Sequence, residues 1–268
     1  MQQEVRCFKV FENVTEAIDI RPRDRCIAII GAGGKTSLMY AMSKALVKIG
    51  RTVICTTTTK IFPPSFHQSP KVIFLGDELP QFTDVRPEIS VCRHLTIGSR
   101  IDPYSGKVLG VSADQIHFLT EMADHVIIEA DGASGRPIKA PAAYEPVIPA
   151  SASLVIPVIG LDALFMPANS PNVFRLENFL IVTKSFPETI ITPHEIGLLS
   201  KHPEGLLRNV PGSSTVSVFL NKIDKTQDPK FVFETATHIL QNNGERIRSV
   251  VAGTLSLHGR LFTRFEML

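Results

Sequence analysis

The sequence predicts an α/β domain with a mostly parallel sheet and helices on both faces. Short apolar runs alternate with stretches in which apolar residues recur at helical spacing, and this alternation is typical of parallel strands joined by crossover helices. A glycine-rich turn at residues 31–37 joins the first strong strand to the first strong helix. A turn of this kind in this position indicates a P-loop NTPase-like version of the fold.

The N-terminal half supplies the first elements. The helix that follows the glycine turn should end at Gly50, since glycine is favoured just past a helix C-terminus. Ser112 has the side chain of an N-cap and predicts a helix to about Met122. Strands are predicted over residues 26–30, 52–56, 71–75, 90–97 and 124–129.

The C-terminal half continues the pattern. Residues 154–159 form an apolar run, but Pro157 lacks a backbone donor, so we expect an edge strand or an irregular one. Thr192 followed by Pro193 predicts a helix start. The remaining predicted elements are strands over 215–220 and 247–252 and an amphipathic helix over 229–241.

Length and composition indicate one large domain. The 268 residues are 44% hydrophobic, enough to fill a sizeable core. We expect residues 1–24 to form a lead-in segment and residues 25–268 a single nucleotide-binding domain. Residues 133–171 are proline-rich and irregular, which favours a functional loop over a linker.

The charge and cysteine content exclude several classes of protein. A net charge of +2 with scattered Lys and Arg argues against a nucleic-acid partner. No apolar run approaches the length of a membrane span. The N-terminus lacks the apolar core of a signal peptide, and the four cysteines show neither disulfide nor zinc spacing. A cytoplasmic location is therefore expected.

The glycine turn is the strongest functional motif. Its backbone N–H groups and the helix N-terminus would surround a phosphate. Lys35 would reach the β- and γ-phosphates, and the Thr36 hydroxyl would ligate Mg²⁺. The loop is shortened, because Ile29 stands where a full P-loop has its first glycine. A plain strand-to-helix turn is the alternative. The predicted loop consists of Gly31, Ala32, Gly33, Gly34, Lys35, Thr36 and Ser37.

An acidic segment follows the strand predicted at 124–129. Glu129 stands where an acid can hold Mg²⁺, and Gly132 follows at the spacing of a GTPase switch, where its N–H could sense a γ-phosphate. Asp131 is a candidate for orienting water or a substrate. Buried acids are costly unless they are paired or bound to metal, which favours a role for both carboxylates.

Asn221, Lys222 and Asp224 form an Asn-Lys-x-Asp pattern after the strand at 215–220. The aspartate in this pattern can accept hydrogen bonds from guanine N1–H and its amine, a pair that adenine does not offer. The lysine stem would lie against the base, and the asparagine would brace the loop. A polar turn that caps the next helix is the alternative.

Four further residues are candidates for substrate binding. Thr58 and Lys60 lie in a threonine-rich segment whose hydroxyls could contact Mg²⁺ or a γ-phosphate, although threonines also suit strands. Arg136 and Lys139 follow closely on Asp131 and could clamp an anionic substrate. Solvated loop charge is the alternative for either cation.

Taken together, these segments resemble the YqeC family, the accessory proteins of selenium-dependent molybdenum hydroxylases. The resemblance runs from about Arg25 to the last predicted strand. It implies a role in maturing a selenium-containing molybdenum cofactor or in loading it into the hydroxylase, which makes that enzyme or its cofactor intermediate an expected partner. The motifs that carry it are residues 30–37, 56–63, 129–141, 145–149 and 221–224.

The sequence therefore predicts a Mg²⁺-dependent protein that hydrolyses GTP or ATP. Lys35 and the loop amides would neutralise charge on the transferring phosphoryl group, Thr36 and Glu129 would hold the metal, and Asp131 would orient the attacking group. Two alternatives stay open. One is phosphoryl or nucleotidyl transfer, or ligation, on a cofactor intermediate. The other is a non-hydrolysing chaperone that nucleotide switches.

Overall fold

The computed structural model describes residues 5–76, 82–255 and 261–267. Its strands are β1 (Val5–Phe11), β2 (Cys26–Gly31), β3 (Val53–Thr57), β4 (Lys60–Ile61), β5 (Val72–Phe74), β6 (His94–Gly98), β7 (Val108–Leu109), β8 (His125–Glu129), β9 (Ile138–Lys139), β10 (Leu154–Gly160), β11 (Val173–Phe174), β12 (Thr215–Asn221), β13 (Ile247–Gly253) and β14 (Phe262–Met267). Its α-helices are α1 (Val14–Ile18), α2 (Lys35–Lys48), α3 (Phe82–Cys92), α4 (Ala113–Met122), α5 (Leu176–Thr183), α6 (Pro193–Lys201) and α7 (Lys230–Leu240).

One ten-stranded sheet organises the chain, in the order β1-β14-β13-β12-β10-β2-β8-β3-β6-β5. Every neighbouring pair from β13 to β5 is parallel. Strands β14 and β1 extend one edge in antiparallel pairing. The predicted mostly parallel α/β sheet is confirmed. Because the central strands are parallel, the carboxyl ends of β12, β10, β2, β8 and β3 share one edge.

Helices cover both faces of this sheet, as the near-continuous apolar strands predict. Ile27 and Ile29 of β2 pack in a cluster with α1 and α2. Ala28 and Ile30, which point the other way, pack in a cluster with α3 and α4. A third cluster joins α5, α6 and α7 to β12 and β13.

Strand β10 lies inside the sheet, so the expectation of an edge strand is wrong. It is paired with β2 on one side and β12 on the other. Pro157 lies opposite Ile30 of β2, and the pairing of β10 with β12 skips Ile156 and Pro157. The missing donor is thus accommodated by a local gap in one ladder. The strand is irregular, as predicted, in its pairing with β12.

The strand predicted over 90–97 is only half correct. Residues up to Cys92 belong to α3, and the strand begins at His94. Val85 and Ile89, four residues apart, both lie in the core, which is helical spacing. Apolar residues near position 90 therefore form the buried face of a helix.

Residues 5–18 of the segment expected as a lead-in form a strand and a helix of the fold. Strand β1 pairs with β14, and Val14, Ala17 and Ile18 of α1 lie in the core cluster with α2. Asn13 caps α1 by accepting a hydrogen bond from the Thr15 N–H. Within the described ranges, no helix is long and apolar enough to cross a membrane.

Two short ribbons stand at the carboxyl edge of the sheet. Strands β4 and β7 pair antiparallel, and β9 and β11 pair parallel. The first ribbon follows β3 directly, and the second follows the acidic segment after β8.

Candidate functional site

The glycine loop between β2 and α2 has a backbone that only glycine adopts readily. Gly31, Gly33 and Gly34 have φ of +88°, +82° and +132°. A Cβ on Gly33 would lie 2.3 Å from the Gly160 nitrogen, so the loop also packs closely on the end of β10. No side chain in the described part of the chain caps α2, whose first-turn N–H groups are left without helical partners by helix geometry.

Asn221 braces the glycine loop from the end of β12. Its Nδ2 donates to the Gly33 carbonyl at 2.7 Å, and a Cβ on Gly34 would lie 2.2 Å from the same nitrogen. Its Oδ1 is buried and has no hydrogen-bond partner within the described residues. This hydrogen bond joins the 221–224 turn to the glycine loop.

Lys35, the first residue of α2, is buried and folded back against acids. Its Nζ donates to the Gly31 carbonyl at 2.7 Å and lies 3.0 Å from Asp131 Oδ1. Glu129 Oε1 is 3.8 Å away. The ammonium therefore lies between two carboxylates at the end of β8, the strand that pairs with β2.

These contacts belong to a longer run of alternating charges, which we call the ion chain. Lys139 Nζ lies 3.2 Å from Asp131 Oδ2 and 2.8 Å from Glu145 Oε2, and Glu145 Oε1 accepts from Arg175 Nε at 3.2 Å. The members in order are Glu129, Lys35, Asp131, Lys139, Glu145 and Arg175, and only Arg175 is substantially exposed. Three cations match three acids, so the buried charges compensate one another.

Environment shifts the two outer acids of this chain in opposite directions. Burial raises the pKa of Glu129, an effect that the Lys35 ammonium opposes. Burial alone would also raise the pKa of Glu145, but hydrogen bonds from Lys139 and from the Ala142 N–H hold that pKa below its ordinary value. Glu129 also accepts a 2.6 Å hydrogen bond from the Thr36 hydroxyl at Oε2.

A cleft of about 850 Å³ opens over the glycine loop. Five cationic side chains and one acidic side chain line it, in a protein whose net charge is only +2. The cations are Lys35, Lys60, Lys107, Arg136 and Lys222, and the acid is Glu129. Lys35, Lys60 and Lys222 each pair with an acid outside this lining, so Lys107 and Arg136 give the cleft the positive charge that suits an anionic ligand.

Most of the residues predicted to contact phosphate, Mg²⁺ or substrate come together in this cleft. The residues of the predicted set that line it are Gly33, Gly34, Lys35, Thr36, Ser37, Lys60, Glu129, Gly132, Arg136 and Lys222. Gly31 and Ala32 lie beneath, with their N–H groups donating to Asp131 Oδ2 and to the Val158 carbonyl.

Other predicted residues lie away from the lining. Asp131 and Lys139 are each 1% exposed and are held within the ion chain, so neither presents its charge to a bound anion. The Thr58 hydroxyl donates to the Val147 carbonyl. Asp224 accepts from the Thr254 hydroxyl at 2.7 Å, outside the cleft lining, while Lys222 pairs with Asp162 at 2.6 Å.

The sequence predicts no role for Glu145, Arg175, Lys107 or Asp162, although the structure places all four at or near the site. Glu145 does fall in one of the motifs that carry the family resemblance, which is a signal for a constrained position. The others stand singly in loops or at element ends, where no local pattern reveals a distant partner.

Comparison with known proteins bears on the whole chain. The sequence model of the YqeC protein family matches residues 27–177. The chain belongs to the YqeC family. The YqeC protein of Escherichia coli (strain K12), described as uncharacterized, is 32% identical over 247 residues, covering 91% of this chain and 92% of the relative. The predicted family resemblance is confirmed.

The YqeC match covers part of the site. The glycine loop and every member of the ion chain fall within residues 27–177. Asn221, Lys222 and Asp224 lie beyond that range. The YqeC family model thus spans both the glycine loop and the ion chain, which meet at Lys35.

Proposed function

We propose that this YqeC protein binds a nucleoside triphosphate with Mg²⁺ in the cleft and acts on its terminal phosphoryl group. The observation that carries this proposal is the glycine loop itself: positive-φ glycines lead into an α2 N-terminus without a side-chain cap, with Lys35 at its head. Open N–H groups and a helix dipole form a site for phosphate. The cationic lining of the cleft supports an anion of high charge.

Lys35 would move toward the phosphates when they arrive. At rest its ammonium is held by the Gly31 carbonyl and by Asp131. A phosphate oxygen is a stronger competitor than the carbonyl, and Asp131 keeps Lys139 and the Gly31 N–H as partners after the exchange. Lys35 and the N–H groups of the first turn of α2 would then stabilise charge that develops on the transferring group.

Thr36 and Glu129 would offer hard oxygen ligands to Mg²⁺, since both line the cleft and their oxygens already meet in a 2.6 Å hydrogen bond that the ion would replace. Within the described residues, no three His, Cys, Asp or Glu side chains form a metal site of their own. The remaining ligands would come from phosphate oxygens and water, which is usual for Mg²⁺. The ion would neutralise charge on the phosphates.

The base preference that we propose is guanine. Its support is the Asn-Lys-x-Asp pattern at residues 221–224 and the 2.7 Å bond from Asn221 to the glycine loop. Asp224→Asn should shift preference from guanine toward xanthine, because an amide can donate to a 2-oxo group. Equal affinities of the parent protein for GTP and ATP would contradict the guanine proposal alone.

Family membership supports the proposed pathway. We propose that the reaction serves the maturation of a selenium-dependent molybdenum hydroxylase, as the family resemblance implies. Phosphoryl or nucleotidyl transfer to a small molecule is favoured over plain hydrolysis by one observation. Three of the cations in the cleft lining, Lys60, Lys107 and Arg136, lie outside the glycine loop and the 221–224 turn.

Calorimetric titration with GTP, ATP and GDP, with and without Mg²⁺, tests the binding proposal. We expect a triphosphate to bind and Mg²⁺ to tighten it. Lys35→Met should abolish binding, Thr36→Val should remove only the Mg²⁺ effect, and Lys48→Met at the far, exposed end of α2 should change nothing. Circular dichroism checks that each variant is folded. Unchanged affinity in a folded Lys35→Met protein would refute the site.

A further inference from the structure

We propose that the cleft contains a second subsite, beside the one for the triphosphate, which binds a small organic anion with a planar ring. The subsite consists of Lys60, Phe62, Lys107 and Arg136, all of which line the cleft. The inference rests on the proposed function, since it assigns a second ligand to the same cleft.

The order of strands in the sheet separates this subsite from the 221–224 turn, where the nucleotide base is proposed to bind. Lys222 follows β12 and Lys60 follows β3, and the strands between them are β10, β2 and β8. At roughly 4.8 Å per strand, about 19 Å separates the two ends of the cleft. The glycine loop follows β2, the middle strand of these five. A nucleotide that extends from the loop toward β12 leaves the β3 half open.

Two cations of the subsite make no ion pair with an acid among the described residues. They are Lys107 and Arg136, whereas Lys60 pairs with Asp102 at 2.8 Å. Arg136 lies where the subsite meets the glycine loop, since its carbonyl accepts from the Gly33 N–H, and its guanidinium is held by neutral acceptors, the carbonyls of Ser134 and Ser170. Two positive charges are therefore held at the cleft without a paired acid, which suits a phosphate or carboxylate.

Phe62 gives the subsite an apolar surface. Its side chain is 69% exposed, and Lys107 Nζ lies 4.5 Å from the ring centroid. The paired strands β4 and β7 hold the two residues in place, since Phe62 directly follows β4 and Lys107 directly precedes β7. An exposed aromatic ring fixed in a polar cleft indicates stacking on a ligand ring, with the adjacent ammonium reaching that ligand's charge.

The size of the cleft allows both ligands. Its volume of about 850 Å³ lies in the upper part of the roughly 300–1,000 Å³ range of small-molecule sites.

Three probe molecules distinguish the contribution of the negative charge to binding from that of the planar ring. Flavin mononucleotide has a planar ring and a phosphate, riboflavin lacks the phosphate, and inorganic phosphate lacks the ring. Binding is measured by anisotropy or calorimetry, with the protein first saturated with a non-hydrolysable triphosphate analogue and Mg²⁺. We expect flavin mononucleotide to bind this complex more tightly than either partial probe.

Variants locate the binding. Lys107→Met and Phe62→Leu should each weaken flavin mononucleotide about tenfold, the effect of one charge-assisted or stacking contact, and should leave triphosphate affinity unchanged. Lys48→Met, a lysine outside the cleft, is the matched control. Wild-type affinity for the probe in both subsite variants would overturn the inference.

The outcomes distinguish the subsite from the proposed function. If the triphosphate binds and the probe fails to bind or displaces it, the second subsite is wrong and the proposed function stands. If no triphosphate binds but the probe binds with the predicted dependence on Lys107 and Phe62, the proposed function is wrong and the subsite stands.

Discussion

The interpretation of Lys139 changes once its neighbours in the structure are known. The sequence predicts it as a clamp for an anionic substrate, whereas the structure buries it between Asp131 and Glu145. It also donates to the Gly132 carbonyl at 2.7 Å. Its charge is already used within the protein, so its effect on a ligand is indirect.

Lys139→Met should destabilise the fold by about 3 kcal/mol, because it leaves two buried carboxylates with one fewer cation. Urea unfolding measures the loss. Lys48→Met, an exposed lysine, should stay within about 0.5 kcal/mol of the parent. A Lys139→Met protein as stable as the parent, with ligand binding lost, would instead show that Lys139 contacts the ligand.

Two glycines of the site give a matched pair. Gly33→Ala should cost more than about 2 kcal/mol, since its φ is +82° and a Cβ would meet Gly160 at 2.3 Å. Gly132→Ala should leave stability nearly unchanged, because nothing lies within 4 Å of a Cβ there. Both variants keep the backbone N–H. Thermal unfolding of the two proteins makes the comparison, and equal losses would contradict the packing described for Gly33.

Residues in a local motif could be predicted, and residues that act across the fold could not. The glycines, Lys35, Thr36 and Glu129 carry signals in their spacing to nearby strands and helices, and the structure places them together. Glu145 and Arg175 meet through a 3.2 Å ion pair although 30 positions separate them. No periodicity or capping signal encodes such a pair.

At the scale of elements, capping signals predicted helices well and apolar runs predicted strands less well. Ser112 and Thr192 both form capping boxes, with Gln115 and Glu195 as their partners. By contrast, the run near residue 90 divides between α3 and β6. Short apolar runs suit a buried helix face as well as a strand, and only the packing of the whole sheet decides between them.

Strand β6 begins with a histidine that should make stability depend on pH. Burial lowers the pKa of His94 from 6.5 to about 4, with Lys44 contributing. The unfolded chain binds this proton as the pH falls below 6.5 and the folded chain does not until about 4, so the stabilisation is present above 6.5 and is lost on acidification.

The His94 contribution should amount to about 2 kcal/mol between about pH 7.5 and pH 5. Urea unfolding of the parent and of His94→Gln at both pH values isolates it, since other titrating groups are common to the two proteins. The parent should lose more stability than the variant on acidification. Equal losses would mean that His94 takes up its proton at the same pH in the folded and unfolded protein.

At the scale of the whole molecule, charge is distributed unevenly. The cleft lining carries five cations and one acid, while the complete chain carries a net charge of only +2. The lining therefore carries +4 and the rest of the chain −2. A positive field of this kind is local, and it would act on anions near the cleft.

Association of a triphosphate should therefore slow with salt. Raising NaCl from about 0.05 M to about 0.5 M should lower the association rate about tenfold, because screening shortens the range of attraction. Stopped-flow fluorescence with a labelled GTP analogue measures the rate, and a labelled guanosine without phosphates is the control. A rate independent of salt would show that the cleft cations do not guide the ligand.

If phosphate binds Lys35 as proposed, it would replace the resting contact between Lys35 and Asp131. The Asp131 carboxylate already lies 3.0 Å from the Lys35 ammonium. An incoming phosphate therefore competes with this carboxylate, the resident anion, and not with water. Weakening the occupant should then raise the apparent affinity for phosphate, since a larger fraction of Lys35 is available. The same occupant would retake Lys35 once the terminal phosphate departs, so each cycle would end by restoring the starting arrangement.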